Sequence, residues 1–186
     1  MVAGLARGIK LKTLDGIDTR PTKDMVKEAM FSMLTPHLQD AVVLDLFGGS
    51  GSLGIEALSR GAKKAIFFDT SRYSCDIIRD NLVLTKLQSG GEVHCKDPLQ
   101  PHVFCKLAGH HVFDIVFLDP PYGRQMIQKA LELLLHEGNN AGNLRKGSLI
   151  VAEHKSDEML QQEIPGLCWQ KTKKYGLSSV TLYEKT

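Results

Sequence analysis

Val42-Val43-Leu44-Asp45-Leu46-Phe47-Gly48-Gly49-Ser50-Gly51 is the stretch that decides the fold. Its first residues are apolar and partly β-branched, as a short strand buried on both faces requires. The strand stops at a turn with three glycines, and helical periodicity begins near Ser52. Glycine suits a backbone that turns with positive φ or lies against a ligand. Gly49-Ser50-Gly51-Ser52-Leu53-Gly54 also matches G-x-G-x-x-G, which sets a ligand on a helix N-terminus without saying which ligand.

The same strand-then-helix rhythm extends outward from this stretch. Further strands are expected at Ala65 to Asp69, Glu92 to Cys95, Phe113 to Asp119, Ser148 to Glu153, Trp169 to Lys173 and Ser179 to Glu184. Helices are expected over Ser52 to Ser59, Ser71 to Lys86 and Gln125 to His136, and Glu137 to Lys146 reads as a polar loop. Val26, Ala29, Met30, Met33 and Leu34 form one apolar stripe on an earlier helix, opened by Thr22 and ended by Pro36. The expected fold is α/β: a seven-stranded, mostly parallel sheet with helices on both faces. The last two strands are too close for a crossover helix and should pair antiparallel at the sheet edge.

With 186 residues, 42% of them hydrophobic and 24% charged, the chain is expected to form a single domain over 1–186. Residues 1–21 would be an N-terminal basic arm or hairpin with a turn at Leu14-Asp15-Gly16. The sequence shows no secretory pattern and no apolar run of membrane-spanning length, so a soluble, cytoplasmic, monomeric protein is expected. Four scattered cysteines, Cys75, Cys95, Cys105 and Cys168, suit reduced thiols, and Cys95, His102 and Cys105 lack a fourth ligand at metal-binding spacing. Net charge is only +2, but cations gather in two places. Arg7, Lys10, Lys12, Arg20, Lys23 and Lys27 fall near the start, and Lys171, Lys173 and Lys174 near the end. Either group could touch phosphates, and either could be a solvated face.

Open parallel sheets bind ligands beyond the carboxyl ends of their strands, and carboxylates stand there. Asp69 ends the second strand about twenty residues past the glycines, where an acid can accept ribose hydroxyls. Asp45, just before the turn, suits a cationic amino-acid moiety better than a diphosphate, which favours a sulfonium methyl donor over a dinucleotide. Asp97 follows the third strand and is placed either to meet an adenine amino group or to cap a turn.

The fourth strand ends in Asp119-Pro120-Pro121-Tyr122, the most specific feature of the chain. Successive prolines lack N–H donors and have fixed φ, so they stiffen the turn and leave carbonyls for a ligand. The Asp119 carboxylate and Pro120 carbonyl can accept hydrogen bonds from one amino group. For an amino group conjugated with a base, two acceptors localise the nitrogen lone pair and align it for in-line displacement. Tyr122 offers a ring on which an unstacked base can rest. The plain alternative is a strand-ending turn, for which Asp and Pro are common.

Arg7-Gly8, Leu11-Lys12, Thr19-Arg20-Pro21-Thr22, the run Leu44 to Gly61 and Phe117 to Tyr122 together resemble the RsmD-type 16S ribosomal RNA guanine-N2 methyltransferases over nearly the whole chain. The resemblance implies a class I (Rossmann-like) methyltransferase fold and S-adenosyl-L-methionine as donor. It implies 16S ribosomal RNA as partner, alone or within an assembling small subunit. Carried over, Asp45, Gly48, Gly49 and Gly51 would hold the donor, with Arg20 and Thr22 closing over it. Asp119, Pro120, Pro121 and Tyr122 would hold the guanine amino group, and Arg7, Lys10, Lys12 and Lys23 would meet RNA. The family usually has alanine where Gly48 stands and glutamate where Asp69 stands. The four-residue motif also resembles those of adenine-N6 DNA methylases and, with Asn in place of Asp, of other amino methyltransferases acting on glutamine side chains. The glycine pattern leaves an NAD-binding oxidoreductase or an inactive nucleotide-binding module as readings from another class.

Overall fold

Strand β1 (Val42–Asp45) pairs in parallel with β2 (Lys64–Asp69) on one side and β4 (Phe113–Leu118) on the other. This computed structural model describes residues 1–14, 21–108, 110–121, 124–135 and 143–186. Between the central strands and beyond them run α1 (Pro21–Leu34), α2 (Ser52–Ser59), α3 (Arg72–Leu84), β3 (Gly91–Cys95), α4 (Pro101–Ala108), α5 (Arg124–Leu135) and β5 (Leu144–Lys155). The chain ends with β6 (Glu163–Ile164), β7 (Leu167–Tyr175) and β8 (Ser178–Lys185). Strand order is β3-β2-β1-β4-β5-β8-β7-β6, so the order reverses between β1 and β4, where a doubly wound sheet opens its ligand crevice.

All seven expected strands are present, and two-residue β6 makes the eighth. The last long strands pair antiparallel as expected, with β8 between β5 and β7. β5 begins at Leu144, earlier than the expected Ser148 and inside the segment read as loop. A bulge makes this possible: Ser148 Oγ donates to the Phe113 carbonyl at 2.7 Å and accepts from Arg145 N–H at 3.0 Å. Of the rest of that expected loop, residues 137–142 lie outside those described, as does 136 at the end of the expected helix. Among the described residues no helix is long and apolar enough to cross a membrane.

Alternate residues of the central strands feed two apolar layers. Val43, Phe67, Phe117 and Val151 face α1, α2 and α3, whereas Leu44, Phe68, Leu118 and Ile150 face α4 and α5. The α1 stripe buries Val26, Met30 and Leu34 as expected, and adds Phe31, whose ring lies 5.6 Å from that of Phe117. Arg60 covers the same Phe31 ring at 4.8 Å.

Residues 1–14 form an arm without strand pairing. It is anchored by backbone donors: Val2 and Ala3 N–H both reach the Glu56 carboxylate at 2.9 Å, and Ala6 N–H reaches Ser59 Oγ at 2.9 Å. Farther on, Asn81 accepts from Lys12 N–H at 2.8 Å and donates to the Lys12 carbonyl at 2.9 Å. The expected turn at Leu14-Asp15-Gly16 falls mostly on residues outside those described.

Gly54 lets α2 lie on β2: a Cβ there would sit 2.2 Å from Cε1 of Phe67, which is fully buried. Gly54→Ala is therefore expected to lower stability by about 1–3 kcal/mol despite alanine's better helix propensity. Urea denaturation of both proteins measures the difference, and equal midpoints would contradict this packing.

Candidate active site

The turn after β1 is set by backbone bonds to its neighbours. Gly48 N–H donates to the Phe68 carbonyl at 2.7 Å, fastening it to the end of β2, and Leu46 N–H donates to the Phe117 carbonyl of β4 at 3.2 Å. Gly51 N–H closes the turn onto the Gly48 carbonyl at 2.7 Å. Gly49 and Gly51 have φ of 55° and 78°, the left-handed region in which a side chain is strained, and Gly51 caps the N-terminus of α2. A Cβ on Gly48 would meet Ile78 Cδ1 at 2.8 Å and the Phe68 carbonyl oxygen at 3.2 Å. The nearer of these atoms is the end of a flexible side chain, so the alanine usual here in the resembling family would require only a small shift of Ile78.

Three carboxylates converge at this end of the sheet. Asp45, 1% exposed, accepts from Gly54 N–H in the first turn of α2 at 3.1 Å. Burial raises its pKa to about 7; the Gly54 hydrogen bond opposes this, and the charges of Asp119 and Asp69 add to it. Asp69 is held on both oxygens: Oδ2 accepts Gly49 N–H at 2.9 Å and Oδ1 accepts Ser71 N–H at 2.8 Å. Its shorter side chain therefore braces the glycine turn directly, and each oxygen keeps a further lone pair for another donor. Asp119 is exposed at the end of β4, Pro120 is buried and Pro121 is exposed.

The structure thus brings together Asp45, Gly48, Gly49, Gly51, Asp69 and Asp119. Asp97 takes the turn arrangement, its Oδ1 accepting Leu99 N–H at 3.0 Å on the way to α4. Arg20 and Tyr122 lie outside the described residues; Thr22 and Lys23 belong to α1, but their side chains are not described. The arm cations are spread out. Arg7 follows Ala6, which is bonded to the last residue of α2, so it stands about 12 Å along that helix from the glycine turn. The Lys12 ammonium pairs with Asp80 at 2.7 Å on an exposed surface. Among the described residues no group of three His, Cys, Asp or Glu side chains is arranged to hold a metal ion.

Two positioning residues were missed in the sequence. Asn81 is fully buried and also donates to the Ser50 carbonyl at 2.9 Å, joining the arm, α3 and the glycine turn. Glu56, fully buried, gathers the Val2 and Ala3 N–H groups and Arg60 Nε at 2.7 Å. The only signal for either was a polar residue within an apolar helical stretch.

A family profile described as "Conserved hypothetical protein 95" (Cons_hypoth95) matches residues 1–184. The chain is 37% identical to ribosomal RNA small subunit methyltransferase D of Haemophilus influenzae, over 99% of this chain and 92% of that one. It is 36% identical to the Escherichia coli protein of the same name, over 74% of this chain and 67% of that one. Among solved structures, yhhF of E. coli, a candidate methyltransferase, superposes with a TM-score of 0.84 at 33% identity, covering 100% of this chain and 96% of that chain. TrmN of Thermus thermophilus shares the fold alone, with a TM-score of 0.66 at 19% identity over 87% of this chain and 48% of that one. The chain belongs to the Cons_hypoth95 family, alongside the small-subunit ribosomal RNA methyltransferases D that its glycine turn and Asp-Pro-Pro-Tyr motif resemble.

Proposed function

We propose that this protein transfers a methyl group from S-adenosyl-L-methionine to the exocyclic N2 amino group of one guanine in 16S ribosomal RNA, acting as a monomer in the cytosol. The observation that carries the donor is the charge at the strand ends. Besides the Gly54 N–H, the groups acting on buried Asp45 are two further carboxylates. Such a site repels the diphosphate of a dinucleotide and suits a ligand bearing a sulfonium and an ammonium group. When bound, the donor supplies an electrophilic methyl carbon. Asp45 would hold its ammonium, the Gly48 to Gly51 turn would lie against its amino-acid portion, and the remaining lone pairs of Asp69 would take ribose hydroxyls.

Asp119 and the Pro120 carbonyl would accept the two N–H bonds of the guanine amino group, with Tyr122 stacked on the base. Drawing both protons toward acceptors localises the nitrogen lone pair, and the carboxylate offsets the charge that develops on nitrogen as it attacks. The methylated nitrogen also loses one proton, which Asp119 would receive. Small-subunit RNA as substrate is supported by the relatives named for that RNA, and guanine rather than adenine is supported by the motif resemblance alone. Arg7, Lys10, Lys12 and Lys23 would contribute phosphate contacts; the exposed Lys12–Asp80 pair is weak enough to exchange for one.

Asp119→Ala is expected to bind S-adenosylhomocysteine like the parent and to lose at least about 100-fold in turnover. Labelled donor, unmodified small-subunit RNA and nucleoside analysis measure this. Unchanged turnover would remove Asp119 from the mechanism, and N6-methyladenine as product would replace the acceptor assignment.

Asp45 sets a pH dependence of determinate sign. Its ordinary pKa of 3.8 stands near 7 in the folded protein, so the folded state holds this proton more tightly than the unfolded chain. Its contribution to stability falls as pH climbs from about 4 through 7, and Asp45→Asn removes that fall while retaining an acceptor for Gly54. Binding of a donor ammonium favours the ionised form. S-adenosylhomocysteine affinity should therefore rise up to about tenfold per pH unit below 7 and level off above it, whereas Asp45→Asn binds weakly at every pH. Calorimetric titration from pH 5 to 8 checks both curves.

A further inference from the structure

We infer that the edge strand β7 is a second RNA-contact surface, presenting Lys171, Lys173 and Lys174 to phosphates beside the acceptor nucleotide. The inference rests on the RNA substrate proposed above and adds a binding surface outside the donor site, the Asp119 turn and the N-terminal arm.

Strand register places the lysines. Leu118 of β4 pairs with Ala152 of β5, Ala152 with Thr181 of β8, and Thr181 with Thr172 of β7. Thr172 is thus level with the last residue of β4, and Lys173 is level with Asp119. Because β8 runs antiparallel to both β5 and β7, β7 runs in the direction of β4, and Lys174 and Tyr175 continue past the level of Asp119 on the catalytic end of the sheet. Three strand spacings separate β7 from β4, about 14 Å, a distance that a few nucleotides of extended strand cover.

The edge is also open and firm. β6 pairs only with Leu167 and Cys168, so among the described residues no strand covers β7 from Trp169 to Tyr175. A side-chain chain crosses three strands to hold it: His154 Nε2 with Thr181 Oγ1 at 2.8 Å, Thr181 with Thr172 Oγ1 at 2.8 Å, and Trp169 Nε1–H donating to Thr172 Oγ1 at 3.1 Å. Gln170 forms the bulge and donates to Glu184 at 3.0 Å, engaging the nearest carboxylate of β8. Among the described residues none of the three lysines forms an ion pair. Lys171 and Lys173 are opposite Leu182 and Val180, which belong to the layer under α1, so they project on the face that also carries α1 and the arm, whereas Lys174, opposite Ser179, projects on the other face near the end of the strand. Among the acids on this side of the sheet, Glu153 lies two strands away in the same row as Lys173, and Asp157 and Glu158 follow the end of β5.

Lysines on an open edge also deter strand-to-strand aggregation, and the experiment separates the two roles. Parent and K171Q/K173Q/K174Q protein are titrated with unmodified small-subunit RNA at several salt concentrations, beside S-adenosylhomocysteine binding and sedimentation. The triple variant should bind donor product normally, bind RNA about tenfold or more weakly near 0.15 M salt, and show a log–log salt slope flatter by about 2, as three lost single-strand phosphate contacts require. K171R/K173R/K174R should restore the slope, and single K173Q and K174Q variants should show smaller losses. Unchanged RNA affinity and slope, with or without self-association of the variant, would overturn the inference while leaving the methyltransferase proposal intact. A parent that neither binds nor methylates this RNA would remove both.

Discussion

The hydrogen bond from Gly48 N–H to the Phe68 carbonyl is the constraint on which the remainder of the site depends. It bends the chain leaving β1 over the end of β2, which brings Gly49 N–H onto Asp69 and leaves Gly54 N–H facing Asp45. Side chains are disfavoured at three of these positions, by positive φ at Gly49 and Gly51 and by the buried Phe67 ring against Gly54. The backbone is thereby held close to the space where a ligand would lie, and α2 starts with its N-terminus directed at that space.

This arrangement concentrates like charge. Asp45, Asp69 and Asp119 come from three adjacent strand ends, and the deepest of them resists ionisation near neutral pH. A fold selected only for stability would place an apolar residue at Asp45, since a buried carboxylate with one backbone donor is costly. The cost is offset when a cation enters, so the same feature that weakens the empty protein supplies selectivity for a positively charged ligand. Asp69 is stabilised differently, by two backbone N–H groups, which keeps it in place as part of the turn.

Much of this was legible in the sequence because it depends on local order. Buried parallel strands read as short apolar runs, the glycine turn reads directly, and Asp119-Pro120-Pro121 ends its strand where the apolar run ends. Features depending on partners distant in sequence were not legible. The arm's path is set by Glu56, Ser59 and Asn81, between 53 and 69 residues away, and no periodicity in residues 1–14 encodes it. β5 begins early because Ser148 substitutes a hydroxyl for a missing ladder bond, which a polar, glycine-bearing segment conceals. Asp69 also illustrates the limit: spacing put it at the right strand end, but its two backbone donors follow from the curvature of the turn.

Asn81 connects these levels. Its amide accepts from Lys12 N–H and donates to the Lys12 and Ser50 carbonyls, so three of the four hydrogen bonds it can make are fixed within a fully buried site. Breaking any of them would leave a buried polar group unsatisfied, a loss of about 1–3 kcal/mol, so this one side chain fastens the arm to the glycine turn. Lys12 and Ser50, the latter between the two glycines whose positive φ shapes the turn, thus share one buried partner. The arm is fastened here through its backbone, while the Lys12 ammonium pairs with Asp80 at the surface.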